Sequence, residues 1–229
     1  MANYQPIVRA NVIDIQTDRP QKSDRFLMDT NALYWLTYSR SEDTFSPPKT
    51  YQVKHYPRYI NAAINAGSDR FWSGLSMAEL TTLIERGEYE IFCQEKHLEP
   101  KDFPLKEYRH SYSSERSNQV IPEINMVWGA IESVGQCLES IIQQETITQT
   151  IADFKNQEVD GYDSLIIHAA KTAKISQIIT DDIDFITVPD IVVFTANRNA
   201  ILVAKSQNKF IDRSQSGTIG KAIQRPQRK

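Results

Sequence analysis

The chain has 229 residues, a net charge of −3, 40% hydrophobic and 24% charged residues, which suits one well-packed soluble domain with additions and excludes global disorder. No apolar stretch approaches the roughly 20 residues that span a bilayer, and Met1–Ala10 has no basic segment followed by an apolar run, so a cytoplasmic protein without a membrane association is expected. The two cysteines, Cys93 and Cys137, match no close-spaced zinc pattern and read as packed thiols.

Residues 1–24 read as a polar amino-terminal arm with small apolar patches at Ile7–Val8 and Val12–Ile15. Phe26–Met28 predicts a short strand, Asp29-Thr30-Asn31 a turn, and Leu33 and Leu36 the start of a helix. Residues 41–58 hold Pro47, Pro48 and Pro57 and predict a loop; a helix over 58–66 then ends at Gly67. Phe71–Leu75 predicts a strand. Ser76 and Glu79 form a capping-box pattern for a helix over 77–86 that stops at Gly87.

Residues 93–121 are charged and turn-rich. From Pro122, a first-turn proline, the residues Ile124, Val127, Trp128, Ile131, Val134, Leu138, Ile141 and Ile142 keep helical spacing, expected to be core or a dimer surface. Asp163 opens a further helix, and Ile178–Thr180 and Ile191–Phe194 predict two buried strands. Strands alternating with helices predict an α/β fold on a parallel sheet. From Lys205 onward, Lys205, Lys209, Arg213, Lys221, Arg225, Arg228 and Lys229 face the single acid Asp212, so a basic tail is attached to an acidic body.

Asp29 follows one strand, and Asp181 and Asp182 follow another. Glu79 and Asp163 lie in the first turns of helices. In a parallel sheet these positions share one edge, where ligands bind. Each acid alone has a plain structural role: a cap for Asp29 or Asp163, a return partner of Ser76 for Glu79, turn residues for Asp181 and Asp182. Together they crowd negative charge that a cation would offset, and an all-oxygen set suits Mg²⁺ or Mn²⁺ and phosphoryl chemistry. No nucleophile elbow, glycine-rich phosphate loop or close histidine pair competes with this reading. Lys54, His55, Arg58 and Tyr59 form a basic-aromatic patch between the first two acids, either a solvated face or a surface that tracks and stacks on RNA.

Four segments carry a family resemblance: Phe26-Leu27-Met28-Asp29-Thr30-Asn31, Ser73-Gly74-Leu75-Ser76-Met77-Ala78-Glu79-Leu80, Asp163-Ser164-Leu165-Ile166-Ile167-His168-Ala169-Ala170 and Ile178-Ile179-Thr180-Asp181-Asp182-Ile183-Asp184-Phe185. In this order they resemble the PIN-domain ribonucleases, and among them the VapC-like toxin nucleases. The resemblance implies a PIN-like α/β/α sandwich around a parallel sheet, over 25–204; the helical insertion expected at about 93–156 and the basic, flexible tail expected at 205–229 depart from the family pattern. The resemblance also implies a Mg²⁺- or Mn²⁺-dependent endoribonuclease with an RNA substrate, whose role is open between a toxin of a type II toxin–antitoxin pair with an antitoxin partner, a maturation enzyme and a regulator; a homodimer is expected from the apolar helix that follows Pro122. The family's acids fall on Asp29, Glu79, Asp163 and Asp182. Asp184 completes the metal site, and Thr30, Asn31 and Thr180 support it. Lys54, Arg58, Arg225 and Arg228 are the expected RNA contacts. The separation of Glu79 from Asp163 is long for a compact member. The alternative class is a PIN-like module that binds RNA or protein without cutting.

Overall fold

The structure is a computed structural model and describes residues 6–138 and 142–214. Six parallel strands form one sheet: β1 (Asn11–Asp14), β2 (Arg25–Met28), β3 (Asp69–Ser73), β4 (Gln136–Leu138), β5 (Gln177–Ile179) and β6 (Val192–Thr195), in the spatial order β1-β6-β5-β2-β3-β4. The helices are α1 (Thr30–Thr37), α2 (Thr50–Ala66), α3 (Gly74–Glu95), α4 (Leu105–Ser111), α5 (Ser113–Val134), α6 (Gln144–Asp153), α7 (Gly161–Thr172) and α8 (Arg198–Ser206).

The alternation of side chains along each strand builds both cores. Val12, Leu27, Ile178 and Val193 point to one face, where they meet Ile166 and Ile167 of α7 and Ala200 and Ala204 of α8. Ile13, Phe26, Met28, Ile179 and Phe194 point to the other, against Leu33 of α1, Tyr56 and Ile60 of α2, and Val127 and Ile131 of α5. An α/β/α sandwich results. A satellite core of Tyr89, Phe92, Phe103, Tyr108 and Val120 joins α3, α4 and α5. Among the described residues, no helix is long and apolar enough to cross a membrane.

Several boundaries differ from the sequence expectation, each for a physical reason. The arm supplies the edge strand β1, which pairs with β6 from Asn11↔Val192 to Asp14↔Thr195. Helix α2 begins at Thr50 and runs through Pro57, because Tyr56, Tyr59, Ile60 and Ala63 bury one continuous face across it. That burial offsets the hydrogen bond that a mid-helix proline forgoes. Gly67 does end α2, in the left-handed conformation with φ 72°. Gly87 does not end α3. A Cβ there would lie 3.0 Å from the Tyr38 hydroxyl, so this glycine lets the segment after α1 approach the helix.

Helix α5 starts at Ser113, places Pro122 in its interior, and ends at Val134. The apolar period then changes to strand pairing, with Phe71↔Gln136 and Ser73↔Leu138 making β4 the second sheet edge. The inserted region is therefore not wholly helical. Ile141 lies outside the described residues. The first part of the expected flexible tail is docked: Phe210 bridges to Val12, and the Arg213 guanidinium bonds Asp18 at 2.7 Å and Asp24 at 2.8 Å. Arg213 is 9% exposed, so this is a buried anchor. Residues Gln215 to Lys229, including Arg225 and Arg228, lie outside the described residues.

A buried polar tie between helix and sheet lies at Tyr56. Its hydroxyl donates to Asp181 at 2.7 Å, accepts from the Ala196 N–H at 3.0 Å and lies 2.9 Å from the Thr195 hydroxyl. Tyr56→Phe keeps the ring but strands a buried N–H and a carboxylate oxygen. A stability loss of roughly 1–3 kcal/mol is expected from urea unfolding; an unchanged midpoint would show that the tie contributes nothing.

Candidate functional site

After β2 the chain goes to β3 on one side, while β5 flanks β2 on the other. The β2/β5 seam is thus the switch point of the sheet, and a crevice opens beyond its carboxyl ends. A cavity of about 450 Å³ lies there, and its wall includes Asp29, Thr30, Asn31, Glu79, Asp160, Asp163 and Asp182. Among the described residues, no lysine, arginine or histidine lines it.

Each acid is placed by its local backbone. Asp29 ends β2 and caps α1, accepting from the Thr30 N–H at 2.7 Å; its second oxygen accepts from the Thr180 hydroxyl at 2.7 Å. It is 3% exposed. Glu79 is one turn into α3 and accepts from the Thr30 hydroxyl. The capping role expected of Ser76 belongs to Ser73, which accepts from the Leu75 N–H; the Ser76 hydroxyl is buried and unpartnered. Glu79 is therefore held by Thr30 and not by a capping box. At α7 the cap is Asp160, which accepts from the Asp163 N–H at 2.9 Å. Asp163, relieved of capping, lines the cavity. The Thr180 hydroxyl also accepts from the Asp182 N–H at 3.0 Å, and Asp182 caps the short 3₁₀ turn Ile183–Thr187 through the Asp184 N–H.

The three acids after β5 separate cleanly. Asp181 turns away and accepts from Tyr51 at 2.8 Å, Gln52 at 2.7 Å and Tyr56 at 2.7 Å, all on α2. Asp182 lines the cavity. Asp184 is exposed and lies off its wall, because the turn capped by Asp182 carries it outward. Asp160 is the site residue that sequence reasoning missed. Its signal was present in Asp160-Gly161-Tyr162-Asp163, where an aspartate precedes the helix by one position and the expected acid by three.

Burial and crowding raise the proton affinity of this set. Asp29 is pushed up to about 7, first by burial and then by the Asp182 and Glu79 charges, against the pull of its Thr180 and Thr30 hydrogen bonds. Asp163 is pushed up to about 8 by burial, then by Asp29, Asp160, Asp182 and Glu79. Glu79 and Asp182 are raised as well, burial again leading. This is the electrostatics of a site short of positive charge.

Among the described residues, no three of these side chains meet closely enough to coordinate one ion directly. The carboxylates stand around the cavity. That arrangement fits Mg²⁺, which keeps several waters and takes only one or two carboxylates, better than it fits a dehydrated cage.

The expected basic contacts lie elsewhere. Lys54 and Arg58 are exposed on α2, and Arg58 lines a separate cavity of about 290 Å³ with Arg19 and His55. Tyr59 is not a surface platform. Its ring packs 5.9 Å from Phe26 and 6.1 Å from Phe194, and its hydroxyl donates to Asp18.

No protein-family model and no curated protein matches the chain. Among solved structures, the crystal structure of FitAcB from Neisseria gonorrhoeae is similar over 76% of this chain and 99% of that one, at 16% identity and a TM-score of 0.37. At that score nothing about function rests on the likeness.

The raised pKa values have a definite sign in stability. Between the ordinary aspartate range and about 8, the folded state holds a proton at Asp163 that the unfolded chain releases. The contribution is fully present below the unfolded value and lost as pH rises through the folded one. In chelator, Asp163→Asn is expected to melt with the native protein near pH 4 and above it near pH 8. Parallel melting profiles would contradict the crowding.

Proposed function

We propose that the chain is a divalent-cation-dependent endoribonuclease that hydrolyses single-stranded RNA through Asp29, Glu79, Asp163 and Asp182, with Asp160 beside them. The observation that carries the reading is the convergence of five carboxylates from four chain segments on one open cavity at the sheet's switch point. The choice of RNA follows the resemblance of the four acid-bearing segments to PIN-domain ribonucleases.

Asp29, Glu79, Asp163 and Asp182 would hold Mg²⁺ or Mn²⁺, one or two of them directly and the others through its waters, with Asp160 as an outer acid on the same wall. A bound divalent cation supplies the positive charge that an approaching phosphodiester requires and lowers the pKa of water. The protein's own contribution is placement. Thr180 orients Asp29 and the Asp182 backbone together, so one hydroxyl sets the geometry of two acids from different strands. Thr30 does the same for Asp29 and Glu79, through its N–H and its hydroxyl. Asn31, on the same wall, offers an uncharged donor toward a phosphate oxygen. The setting suggested by the resemblance is the toxin of a type II pair, held inactive by an antitoxin.

Purified protein incubated with unstructured RNA is expected to cleave it with Mn²⁺ or Mg²⁺ and not with EDTA, and Asp29→Asn is expected to abolish cleavage. Thr180→Val should weaken cation affinity roughly 10–100-fold by calorimetry, as loss of an outer-shell partner does. Asp181→Asn should lower stability while sparing cation affinity. Cleavage that survives EDTA or the Asp29 change would overturn the site, and absence of any cleavage would favour a binding module. Induced expression should arrest growth for the native chain and not for Asp29→Asn.

A further inference from the structure

A second cavity of about 310 Å³ adjoins the acidic one and shares two of its wall residues, Asn31 and Leu83. Its other walls include Tyr34 and Trp35 from α1 and Arg86 and Glu90 from α3. We propose that this cavity is a nucleobase subsite, which takes one unpaired base of a single-stranded RNA beside the phosphodiester held at the carboxylates. This rests on the nuclease reading of the acidic cavity.

Three observations converge. First, the two aromatic rings are half-buried and each is backed by another ring: Tyr34 lies 5.1 Å from Tyr38, and Trp35 lies 5.1 Å from Tyr56. Their backs are fixed by the core, so a base stacking on the open side would not have to order them. Rigid aromatic platforms are what unpaired bases stack on, whatever their sequence. Second, the volume is at the lower limit of small-ligand sites, roughly 300–1,000 Å³, which suits one base and not a folded helix. Third, this cavity offers a cation that the acidic one lacks among the described residues: Arg86 stands on its wall with a side chain 72% exposed, although Glu90 on the same wall balances its charge. Its contact with Glu90 is long, at 3.9 Å, and Glu90 is already engaged by the Phe45 N–H at 3.0 Å. Arg86 is therefore placed to pair with the phosphate that flanks the stacked base.

Continuity between the cavities gives the geometry its meaning. Asn31 follows Asp29 and Thr30 directly, so the chain that positions the first acid also forms the partition between the two chambers. A strand of RNA crossing that partition would present a phosphate to the carboxylates and its adjoining base to the rings.

The test uses the full-length chain and an unstructured RNA oligonucleotide. Arg86→Ala removes an exposed side chain, Tyr34→Ala removes a ring, and Tyr34→Phe restores it. Each is assayed for cleavage with Mn²⁺ and for binding in EDTA by fluorescence anisotropy. Arg86→Ala, through loss of the phosphate contact, and Tyr34→Ala, through loss of base stacking, are each expected to weaken binding and raise KM about tenfold with kcat little changed. Tyr34→Phe should behave like the native chain. An oligonucleotide with a single abasic position next to the cleaved bond should lose a similar factor. If the native chain cleaves and neither the variants nor the abasic position alters KM, the subsite is overturned and the nuclease reading stands. If the native chain cleaves nothing but the two variants still weaken RNA binding, the subsite stands and the nuclease reading fails. No binding of RNA by the native chain overturns the subsite.

Discussion

Thr180 sits at the carboxyl end of β5, fully buried, with its hydroxyl between Asp29 of the neighbouring strand and the backbone of Asp182. One residue further, Asp181 is drawn to α2 by three donors. These two adjacent side chains point in opposite directions, and the split decides the site. Three donors on one carboxylate occupy its oxygens and tie the helix to the sheet end. With Asp181 committed to that task, Asp182 is the acid that remains for the cavity. The left-over positions follow: Asp182 caps the next turn, and the turn carries Asp184 into solvent.

The same economy of placement recurs at α1 and α7. Asp29 is both the cap of α1 and the most buried acid of the site. At α7 the two jobs are divided, with Asp160 capping and Asp163 facing the cavity. Capping occupies one oxygen of Asp160, which leaves Asp163 to face the cavity, where burial and then the neighbouring carboxylates raise its proton affinity.

What could be read from the sequence was what depends on local pattern. Strand β2 with Asp29, β5 with the following acids, and the helix at Asp163 are short apolar runs with a polar stop, and each was placed within a residue or two. What could not be read depends on partners far along the chain. β1 and β4 are weak strands alone and exist because β6 and β3 offer them edges. Pro57 and Pro122 look like boundaries until the apolar faces on both sides of them are seen to be continuous. Gly87 reads as a stop, yet it serves a close approach by Tyr38. At the site, Asp29, Glu79, Asp163 and Asp182 were legible as acids of one sheet edge, whereas Asp160 was missed and the division of labour could not be read, because Tyr51, Gln52 and Tyr56 lie about 130 positions from Asp181. The aromatic cavity had no linear signature, since Tyr34, Trp35 and Arg86 are scattered over two helices.

Strand β1 has a consequence for how the molecule assembles. Its partner, β6, is made near the end of the chain, and the bridge from Val12 to Phe210 comes later still. During synthesis β1 must wait until the chain has grown through β6 before it can pair. Contacts of such long sequence separation form slowly, and the edge of β6 stays open to other chains meanwhile. The clasp of Arg213 on Asp18 and Asp24 then ties the segment after α8 back onto the amino-terminal arm.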